Sequence, residues 1–302
     1  ETGIVQPSQR IQDISPSGDN GWGLFLQARD MIAQGIPVIE LTIGEPDIRT
    51  DPSILNAMHA SALGGHTGYT NVPGTTDLRR AIAARVSTRT GVKTTIDNVM
   101  ITPGGQSALF SAHMGACNVG DTALYIDPFY ATYPGTIRAT GAVAQTIKTQ
   151  SENGFQPTAA DLNDAASKAQ SLLINSPNNP TGSTYTAQTM QTIAETCQNH
   201  NLWLISDEVY DTQLWQGHHI SPRALPHMAE RTMVIGSLSK SHAMTGSRLG
   251  WIIAPETMIE HLTNLATHTT YGVQGYIQDA ALFALNQGHT FEEKVAAPFK
   301  KR

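Results

Sequence analysis

The sequence predicts an α/β protein built around a largely parallel sheet. From Asn98 onward, short apolar runs alternate with helical patterns, at residues 99–102, 122–126, 142–147, 171–174, 202–206 and 231–235. Such alternation is typical of βαβ units whose sheet is buried on both faces. Polar and glycine-rich clusters follow these runs, at 103–106, 127–130, 175–182, 207–210 and 236–240. Because parallel strands end at one edge of a sheet, we expect the clusters to meet there and form a ligand site.

The first fifty residues carry weaker signals. Residues 1–18 contain turn formers and little periodicity. Apolar residues spaced along one helical face predict a helix within residues 19–34. The run 38–43 predicts a short strand, and residues 44–47 predict the turn that ends it.

Helical patterns flank the predicted sheet. One helix is expected at 53–63, and an amphipathic helix is expected after a loop at 68–74. Beyond the sixth strand, residues 249–254 form one more apolar run. Two helical patterns follow Pro255.

Length and charge exclude several classes of protein. A chain of 302 residues can bury a full core, as one large domain or two ordinary ones. A net charge of −6 and a pI near 6.0 argue against nucleic acid or an anionic membrane as the main partner. No apolar run approaches the roughly 20 residues that span a bilayer. The first thirty residues lack the apolar core of a signal peptide, so a cytoplasmic location is expected.

The cysteines and histidines do not suggest a metal site. Cys117 and Cys197 both lie in helical patterns and are expected to be small buried thiols. The eleven histidines are scattered, and neither a C-x-x-C pair nor an H-E-x-x-H motif is present. We therefore expect no dedicated metal ion.

One lysine stands in an unusual setting. Lys240 follows the apolar run 231–235 and the small hydroxyl residues Ser237 and Ser239, and Arg248 comes eight positions later. No acidic residue is close to it in sequence. A desolvated lysine has a lowered pKa, and its free amine can condense with an aldehyde. An ordinary lysine in a surface loop is the alternative.

A glycine turn follows the run 99–102. Gly104, Gly105 and Gln106 stand where this strand ends and a helix begins. Backbone N–H groups at a helix N-terminus bind phosphate, and glycine lets the backbone come close to it. An ordinary βα turn is the alternative. The glycine fingerprint of NAD-binding dehydrogenases is absent, which disfavours that class.

Three other strand ends carry side chains suited to a ligand. Asn179 offers an amide, and Tyr130 offers an aromatic face. Asp207 ends a buried strand and needs a partner, such as a cationic ring nitrogen, because an isolated buried carboxylate is costly. The alternatives are a tight turn around Asn179, a helix N-cap at Asp207 and simple core packing of Tyr130.

Together these segments resemble the class I/II aminotransferases of fold type I, which use pyridoxal phosphate. The resemblance runs from about Ile14 to the end of the chain. The motifs that carry it are Gly44-Glu45-Pro46, Gly68-Tyr69-Thr70, Gly104-Gly105-Gln106, Asn178-Asn179-Pro180-Thr181-Gly182, Asp207-Glu208-Val209-Tyr210 and Ser237-Leu238-Ser239-Lys240 with Arg248. It implies a three-layer α/β/α large domain with a mainly parallel central sheet, beside a smaller domain.

The resemblance implies catalytic roles for three residues. Lys240 is similar to the lysine that holds the cofactor as a Schiff base and moves the substrate proton. Asp207 is similar to the partner of the pyridinium nitrogen. Tyr210 resembles the residue that, with Asn179, hydrogen-bonds the ring hydroxyl oxygen of the cofactor.

It also implies contacts to the rest of the cofactor. Tyr130 matches the ring that stacks on the pyridine. Tyr69 matches a tyrosine that reaches the phosphate of the neighbouring subunit, which implies a homodimer with shared active sites. Arg248 and Ser237 resemble ligands of the phosphate, together with the backbone N–H groups of Gly105 and Gln106. Gly104 and Ser239 are expected to bind the cofactor as well.

The substrate side is less complete. The resemblance implies that Gly44 and Asn179 contact the substrate, and that Trp22 faces it within an N-terminal segment, 17–23, that covers the site. Gln106 stands where the family often has serine or threonine. The chain ends before the arginine of the small domain that grips the substrate α-carboxylate, so no residue near 302 is assigned that role.

A domain division follows from the resemblance. Residues 1–37 are expected to belong to the small domain, and residues 38–288 to form the large domain that binds pyridoxal phosphate. Residues 289–302 are expected to start an interdomain helix, which leaves the small domain incomplete at the C-terminus.

The expected reaction is transfer of an amino group from an amino acid (aspartate, aromatic or similar) to a 2-oxo acid. A C–S lyase or a synthase of the same fold is one alternative, because the cofactor motifs serve a carbanion that all these reactions share. A non-catalytic module that binds the cofactor is another.

Overall fold

The computed structural model describes residues 4–16 and 22–302, and its centre is one sheet of seven strands. The strands are β1 Val99–Thr102, β2 Thr122–Asp127, β3 Val143–Lys148, β4 Ala169–Asn175, β5 Trp203–Asp207, β6 Thr232–Ser237 and β7 Gly250–Ile253. Their order in the sheet is β1-β7-β6-β5-β4-β2-β3. Strands β2 to β6 pair in parallel, whereas β7 runs antiparallel to both β1 and β6. The predicted α/β class, the six runs and the run 249–254 are confirmed.

Eleven α-helices occur in the described part of the chain. They are α1 Gln9–Gln12, α2 Gly23–Ala33, α3 Pro52–Leu63, α4 Thr76–Thr90, α5 Gly104–Ala116, α6 Tyr133–Ala139, α7 Ala159–Ala166, α8 Ala187–Asn199, α9 Glu256–Thr267, α10 Gly275–Asn286 and α11 Thr290–Lys301. Three helices follow Pro255 instead of the two that were predicted. A turn containing Tyr271 and Gly272, both with positive φ, separates α9 from α10.

Helices cover both faces of the sheet. Alternate residues of β4 point to opposite sides: Leu172 and Ile174 pack with α7 and α8, whereas Leu173 packs with α5, α6 and α9. Val99 and Ile253 of the other sheet end pack with α3, α4 and α10. Because each central strand is buried on both faces, its sequence is a continuous apolar run rather than an alternating one. The expected three layers are confirmed.

The strand predicted at 38–43 is wrong. These residues form no strand or helix, and the side chains of Ile39 and Leu41 are each 90 % exposed. A strand needs a neighbour to pair its backbone groups, and no strand of the described residues lies beside this segment. An apolar, β-branched run alone does not supply that neighbour.

The ends of the central strands meet at one edge. Asn175 at the end of β4 lies opposite Asp207 at the end of β5, and Asp207 lies opposite Ile235 of β6. The clusters that follow these strands are therefore adjacent, as expected for a parallel sheet. None of the helices within residues 4–16 and 22–302 is both long and apolar enough to cross a membrane.

Candidate active site

A cavity of about 850 Å³ opens where β4, β5 and β6 end. This volume is in the range typical of small-molecule sites. Most of the residues predicted from sequence line it: Trp22, Gly44, Gly105, Gln106, Tyr130, Asn179, Asp207, Tyr210, Ser237, Ser239, Lys240 and Arg248. Gly104 lies behind Arg248, and Tyr69 lies elsewhere on the surface.

Lys240 is half-buried in the cavity wall. Its Nζ contacts the carbonyl oxygen of Gly44 and lies 5.9 Å from the centre of the Tyr210 ring. Burial lowers the pKa of this amine, and Arg248 lowers it further, while Glu45 and Asp207 act in the opposite direction. The sequence shows no acid near Lys240, but the fold brings these two carboxylates towards it. A desolvated amine of lowered pKa is suited to nucleophilic attack on a carbonyl carbon.

Asp207 is 4 % exposed at the end of β5. Its Oδ2 accepts a hydrogen bond of 2.6 Å from the Tyr133 hydroxyl, and its Oδ1 accepts one of 3.3 Å from the Val209 N–H. Burial raises the pKa of Asp207 to about 6, although the two hydrogen bonds lower it. Tyr133 is not predicted from the sequence, because nothing in its local pattern points to a residue 74 positions away.

A network of amides fixes the next wall. Asn175 donates to the Asp207 carbonyl at 3.0 Å and accepts the N–H of Asn179 at 2.8 Å. The Asn179 side chain hydrogen-bonds Tyr210, whose pKa is nevertheless raised to about 12, mainly by burial. The Asn179 segment is therefore held by side chains of the strand end as well as by its own turn. Asn175 was not singled out from sequence.

The glycine turn packs against the arginine. Gly104 has φ +82°, and a Cβ at this position would collide with the Arg248 guanidinium. Arg248 itself has φ +53°, and its Nη1 donates to the Thr245 carbonyl at 2.9 Å. The guanidinium lies beside the N-terminus of α5, so two sources of positive charge face the same end of the cavity.

Residues 237–249, which include Lys240 and are called the lysine loop, carry a local cluster of hydroxyl groups. Ser237 Oγ lies 2.9 Å from Ser239 Oγ, accepts the Ser239 N–H at 3.0 Å and lies 3.1 Å from the Leu249 carbonyl. The Gln106 side chain donates to Thr136 Oγ1 of α6 at 2.7 Å. Gln106 therefore offers the cavity its backbone N–H, while its amide is engaged elsewhere.

Segment 44–50 is fastened to the lysine loop at three points. Besides the contact of Gly44 with Lys240, Thr245 Oγ1 donates to Glu45 Oε1 at 2.7 Å, and the Thr50 hydroxyl donates to the Ala243 carbonyl. These contacts join segments almost 200 residues apart in the sequence. They place Glu45 on the cavity wall, where sequence reasoning assigned it no role of its own.

Both chain ends contribute to the cavity. Phe299 and Arg302 of the C-terminal region line it, and Arg302 Nη1 lies 2.8 Å from Asp47 Oδ2. Sequence reasoning assigned no role to a residue near 302. Trp22 also lines it, with its ring edge-to-face on Phe25 at 5.7 Å. Residues 17–21 of the segment predicted to cover the site lie outside the described residues.

Tyr69 does not reach this cavity. Its side chain is 91 % exposed, and its ring stands edge-to-face on Tyr271 at 5.2 Å. Tyr130, by contrast, lies on the cavity wall and stands edge-to-face on Tyr133 at 5.8 Å. Within residues 4–16 and 22–302, no group of three or more His, Cys, Asp or Glu side chains is arranged to hold a metal ion.

The comparison with protein families agrees with this geometry. The family model "Aminotransferase class I and II" matches residues 36–301, which include every cavity residue named above except Trp22 and Arg302. The chain belongs to the class I and II aminotransferases. Members of this family generally depend on pyridoxal phosphate.

Relatives with assigned activities are similar along almost the whole chain. An arginine–pyruvate transaminase of Pseudomonas aeruginosa is 37 % identical over 296 residues, which cover 98 % of this aminotransferase and 75 % of the relative. An aspartate/prephenate aminotransferase of Thermus thermophilus is 31 % identical over 300 residues, which cover 98 % and 77 %. These relatives favour amino-acid transamination over a lyase, a synthase or a non-catalytic module.

Solved structures agree. The aspartate aminotransferase of Thermus thermophilus with maleate superimposes with a TM-score of 0.93 at 29 % identity, over 99 % of this chain and 78 % of that one. The aspartate aminotransferase of Thermotoga maritima gives a TM-score of 0.92 at 31 % identity. This aminotransferase is therefore an enzyme that transfers amino groups of amino acids.

Proposed function

We propose that this aminotransferase binds pyridoxal phosphate between Asp207 and Lys240 and transfers an amino group from an amino acid to a 2-oxo acid. One observation carries the proposal: a buried carboxylate of raised pKa and a half-buried amine of lowered pKa lie on the wall of one cavity. A protonated pyridine nitrogen is the kind of partner that Asp207 lacks. An aldehyde is the kind of group that the Lys240 amine attacks.

The other end of the cavity fits a phosphate. Arg248 and the N-terminus of α5 supply positive charge, and Gly104 and Gly105 leave room for close approach. Ser237 and Ser239 add hydroxyl groups on the same wall. The residues that would hold each end of the cofactor are therefore present in one cavity.

Each residue then has a chemical task. Bound pyridoxal phosphate supplies an electron sink for the electron pair left at the substrate Cα. Lys240 would hold the cofactor through its amine, and its Nζ would carry a proton to and from the substrate Cα as general base and acid. Asp207 would pair with the protonated ring nitrogen, and Tyr210 with Asn179 would bind the ring oxygen. Tyr130 would pack on the ring face.

The proposal includes a homodimer in which Tyr69 contacts the cofactor phosphate of the neighbouring subunit. The 91 % exposed ring of Tyr69 and the 54 % exposed ring of Tyr271 form an aromatic pair on the surface. Exposed aromatic surface of this kind is typical of protein interfaces. The mass of the protein in solution, measured by sedimentation or light scattering, tests this part: a monomer contradicts it.

The domain division is also part of the proposal. Residues 1–37 and the interdomain helix from 289 would belong with a small domain, and residues 38–288 would form the large domain. We also propose a cytoplasmic location, which the free thiols Cys117 and Cys197 support because reducing compartments keep thiols unpaired. Cell fractionation tests the location.

Two substrate classes are proposed for the amino donor. Aspartate, an aromatic or a similar amino acid is the first, in line with the aspartate/prephenate relative. An amino acid with a cationic side chain is the second, because Glu40, Glu45 and Asp47 line the cavity and the most identical relative named above acts on arginine. Ranking kcat/KM for aspartate, phenylalanine and arginine, with pyruvate and 2-oxoglutarate as acceptors, decides between them.

The decisive experiment is the visible absorption spectrum of the protein after incubation with pyridoxal phosphate. We expect the wild type to bind the cofactor covalently and Lys240→Ala to lose the covalent absorbance band. Lys168→Ala, which changes an exposed lysine, is the control and should behave as the wild type. A wild type without a cofactor band overturns the proposal.

The reaction type needs its own measurement. After reaction with an amino acid alone, addition of a 2-oxo acid should restore the starting spectrum, because a transaminase retains the amino group until an acceptor takes it. Release of ammonia with no restoration would indicate a lyase instead.

A further inference from the structure

Helix α4 ties two separate walls of the cavity together. Its residues Arg85 and Arg89 stand one turn apart on the same face. Both contact Glu292 of α11, whose side chain is only 5 % exposed: Arg89 Nη2 lies 3.2 Å from Glu292 Oε2, and Arg85 Nη2 contacts Oε1. His289 Nδ1 lies 3.0 Å from the same Oε2. The start of α11 is thus anchored to α4 by a partly buried ionic cluster.

The second arm of Arg89 holds the turn after β5. Arg89 Nη1 lies 2.6 Å from Asp211 Oδ2. This turn is closed by the Asp211 N–H, which donates to the Glu208 carbonyl at 3.0 Å, and by the Gln213 N–H, which donates to the Tyr210 carbonyl at 2.9 Å. Tyr210 therefore sits inside a turn whose next residue is fixed by Arg89.

Both ends of this cluster lead to the cavity. Tyr210 lines one wall, and α11 runs from Glu292 to Phe299, which lines another. Arginine is suited to such bridging, since its planar fork can hold two carboxylates at once in a set geometry. A lysine at the same place could satisfy only one of them well.

We propose that Arg89 is a positioning residue of this enzyme: it sets the Tyr210 turn against α11, and so sets the width of the cavity and the direction of the Tyr210 hydroxyl. Arg89 does not line the cavity and acts only through Asp211 and Glu292. The role of Tyr210 towards the cofactor rests on the proposed function. The coupling of the turn to α11 rests on the contacts alone.

The first test uses the cofactor-free protein and hydrogen exchange. Arg89→Met keeps an unbranched side chain with an apolar stem and removes both ionic contacts. We expect amide exchange in residues 208–213 and in 290–301 to rise together, each by about tenfold, because the variant loses one partly exposed ion pair to each segment. Arg80→Met is the matched control, because Arg80 lies on the same helix and its side chain, which pairs with Asp77, is 63 % exposed.

The second test uses the enzyme loaded with pyridoxal phosphate. In Arg89→Met we expect KM for the amino acid to rise about tenfold while kcat stays within about threefold, since the cavity widens but the reacting groups remain. The pH at which the cofactor absorbance changes should also shift, because Tyr210 no longer binds the ring oxygen in one fixed direction. Arg89→Lys should fall between the wild type and Arg89→Met.

The outcomes separate the two proposals. If Arg89→Met matches Arg80→Met in exchange and in KM, the positioning role is overturned. If Arg89→Met does not fold, Arg89→Lys is measured instead. Amide exchange rates equal to those of the wild type in residues 208–213 and 290–301 overturn the role. Raised rates in both segments support it. If the wild type binds no pyridoxal phosphate, the proposed function fails, while the exchange measurement still decides whether Arg89 couples the turn to α11.

Discussion

The Tyr133 hydroxyl donates a hydrogen bond of 2.6 Å to Oδ2 of Asp207, and both side chains are buried. This contact joins the start of α6 to the end of β5. It lowers the pKa of Asp207, but burial outweighs it and the net pKa is about 6. The carboxylate is thus mostly ionised at neutral pH, and its two hydrogen bonds do not offset the cost of burying the charge. A buried charge in this state favours binding of a cationic ring nitrogen.

Tyr133→Phe should raise the pKa of Asp207, because phenylalanine cannot donate this hydrogen bond. A hydrogen bond to a charged group contributes about 1.5–3 kcal/mol, so a rise of about 1–2 pH units is expected. The pH below which the cofactor-free protein loses affinity for pyridoxal phosphate should move upward accordingly. Tyr185→Phe is the control, since Tyr185 is also buried but has no hydrogen bond to Asp207. Equal profiles for the two variants would contradict the prediction.

Asp207→Asn should stabilise the cofactor-free protein at neutral pH. Folding raises the pKa of Asp207 from 3.8 to about 6, so the folded state binds this proton more tightly than the unfolded state. The stability that Asp207 contributes is therefore complete below about pH 3.8 and is lost as the pH rises through 6. Asparagine has no proton to lose.

At pH 7.5 the free energy of unfolding of Asp207→Asn should exceed that of the wild type by up to about 3 kcal/mol, since a pKa difference of one between the folded and unfolded states corresponds to about 1.36 kcal/mol. The difference should shrink towards pH 4.5. Urea unfolding of both proteins at pH 4.5, 6 and 7.5 measures it. A wild type that is the more stable protein at pH 7.5 would show the prediction to be wrong.

Gly104→Ala should weaken cofactor binding, whereas Gly105→Ala should be tolerated. Gly104 has φ +82°, where alanine is strained, and its Cβ would displace the Arg248 guanidinium. A displaced guanidinium loses a charge-assisted hydrogen bond to the phosphate, which contributes about 1.5–3 kcal/mol, so the Kd of pyridoxal phosphate should rise roughly 10- to 100-fold.

Gly105 is the matched position. A Cβ there meets Val209 Cγ1 at 3.5 Å, an ordinary contact, and alanine keeps the backbone N–H that faces the cavity. Titration of the cofactor absorbance measures both variants. If the two variants bind pyridoxal phosphate with equal affinity, cofactor binding does not require the packing of Gly104 on Arg248.

Glu45→Gln should lower the pKa of Lys240 further. The negative charge of Glu45 raises the pKa of Lys240, whereas burial and Arg248 lower it. Removing that charge leaves the two lowering effects. The change should be below about one pH unit, because Glu45 is exposed to screening by solvent. The pH dependence of reductive methylation of Lys240 in the cofactor-free protein, followed by mass spectrometry, measures this change. Asp47→Asn serves as the control.

Much of the candidate site could be predicted because its residues follow buried strands. Asp207 and Asn179 were found from the clusters that follow β5 and β4, and the sheet register brings those strand ends side by side. Local pattern and parallel topology were enough for this. Lys240 and the glycine turn likewise come after β6 and β1, whereas Arg248 precedes β7.

Residues that act across the fold could not be found this way. Tyr133, Arg89 and Glu45 owe their place to partners 74, 122 and 200 positions away. Their own segments look like an ordinary helix start, an exposed helix face and a turn. No local periodicity distinguishes them from neighbours that point to solvent.

By itself the sequence determined the α/β class, the strands of the sheet and the polar strand ends, because burial on both faces leaves a continuous apolar run that is visible residue by residue. Only the tertiary structure decided that residues 38–43 form no strand, that Asp207 is bound by Tyr133, and that one arginine of α4 joins two cavity walls. These outcomes depend on which distant group lies within hydrogen-bonding distance, and that depends on packing of the whole chain rather than on the pattern of any one segment.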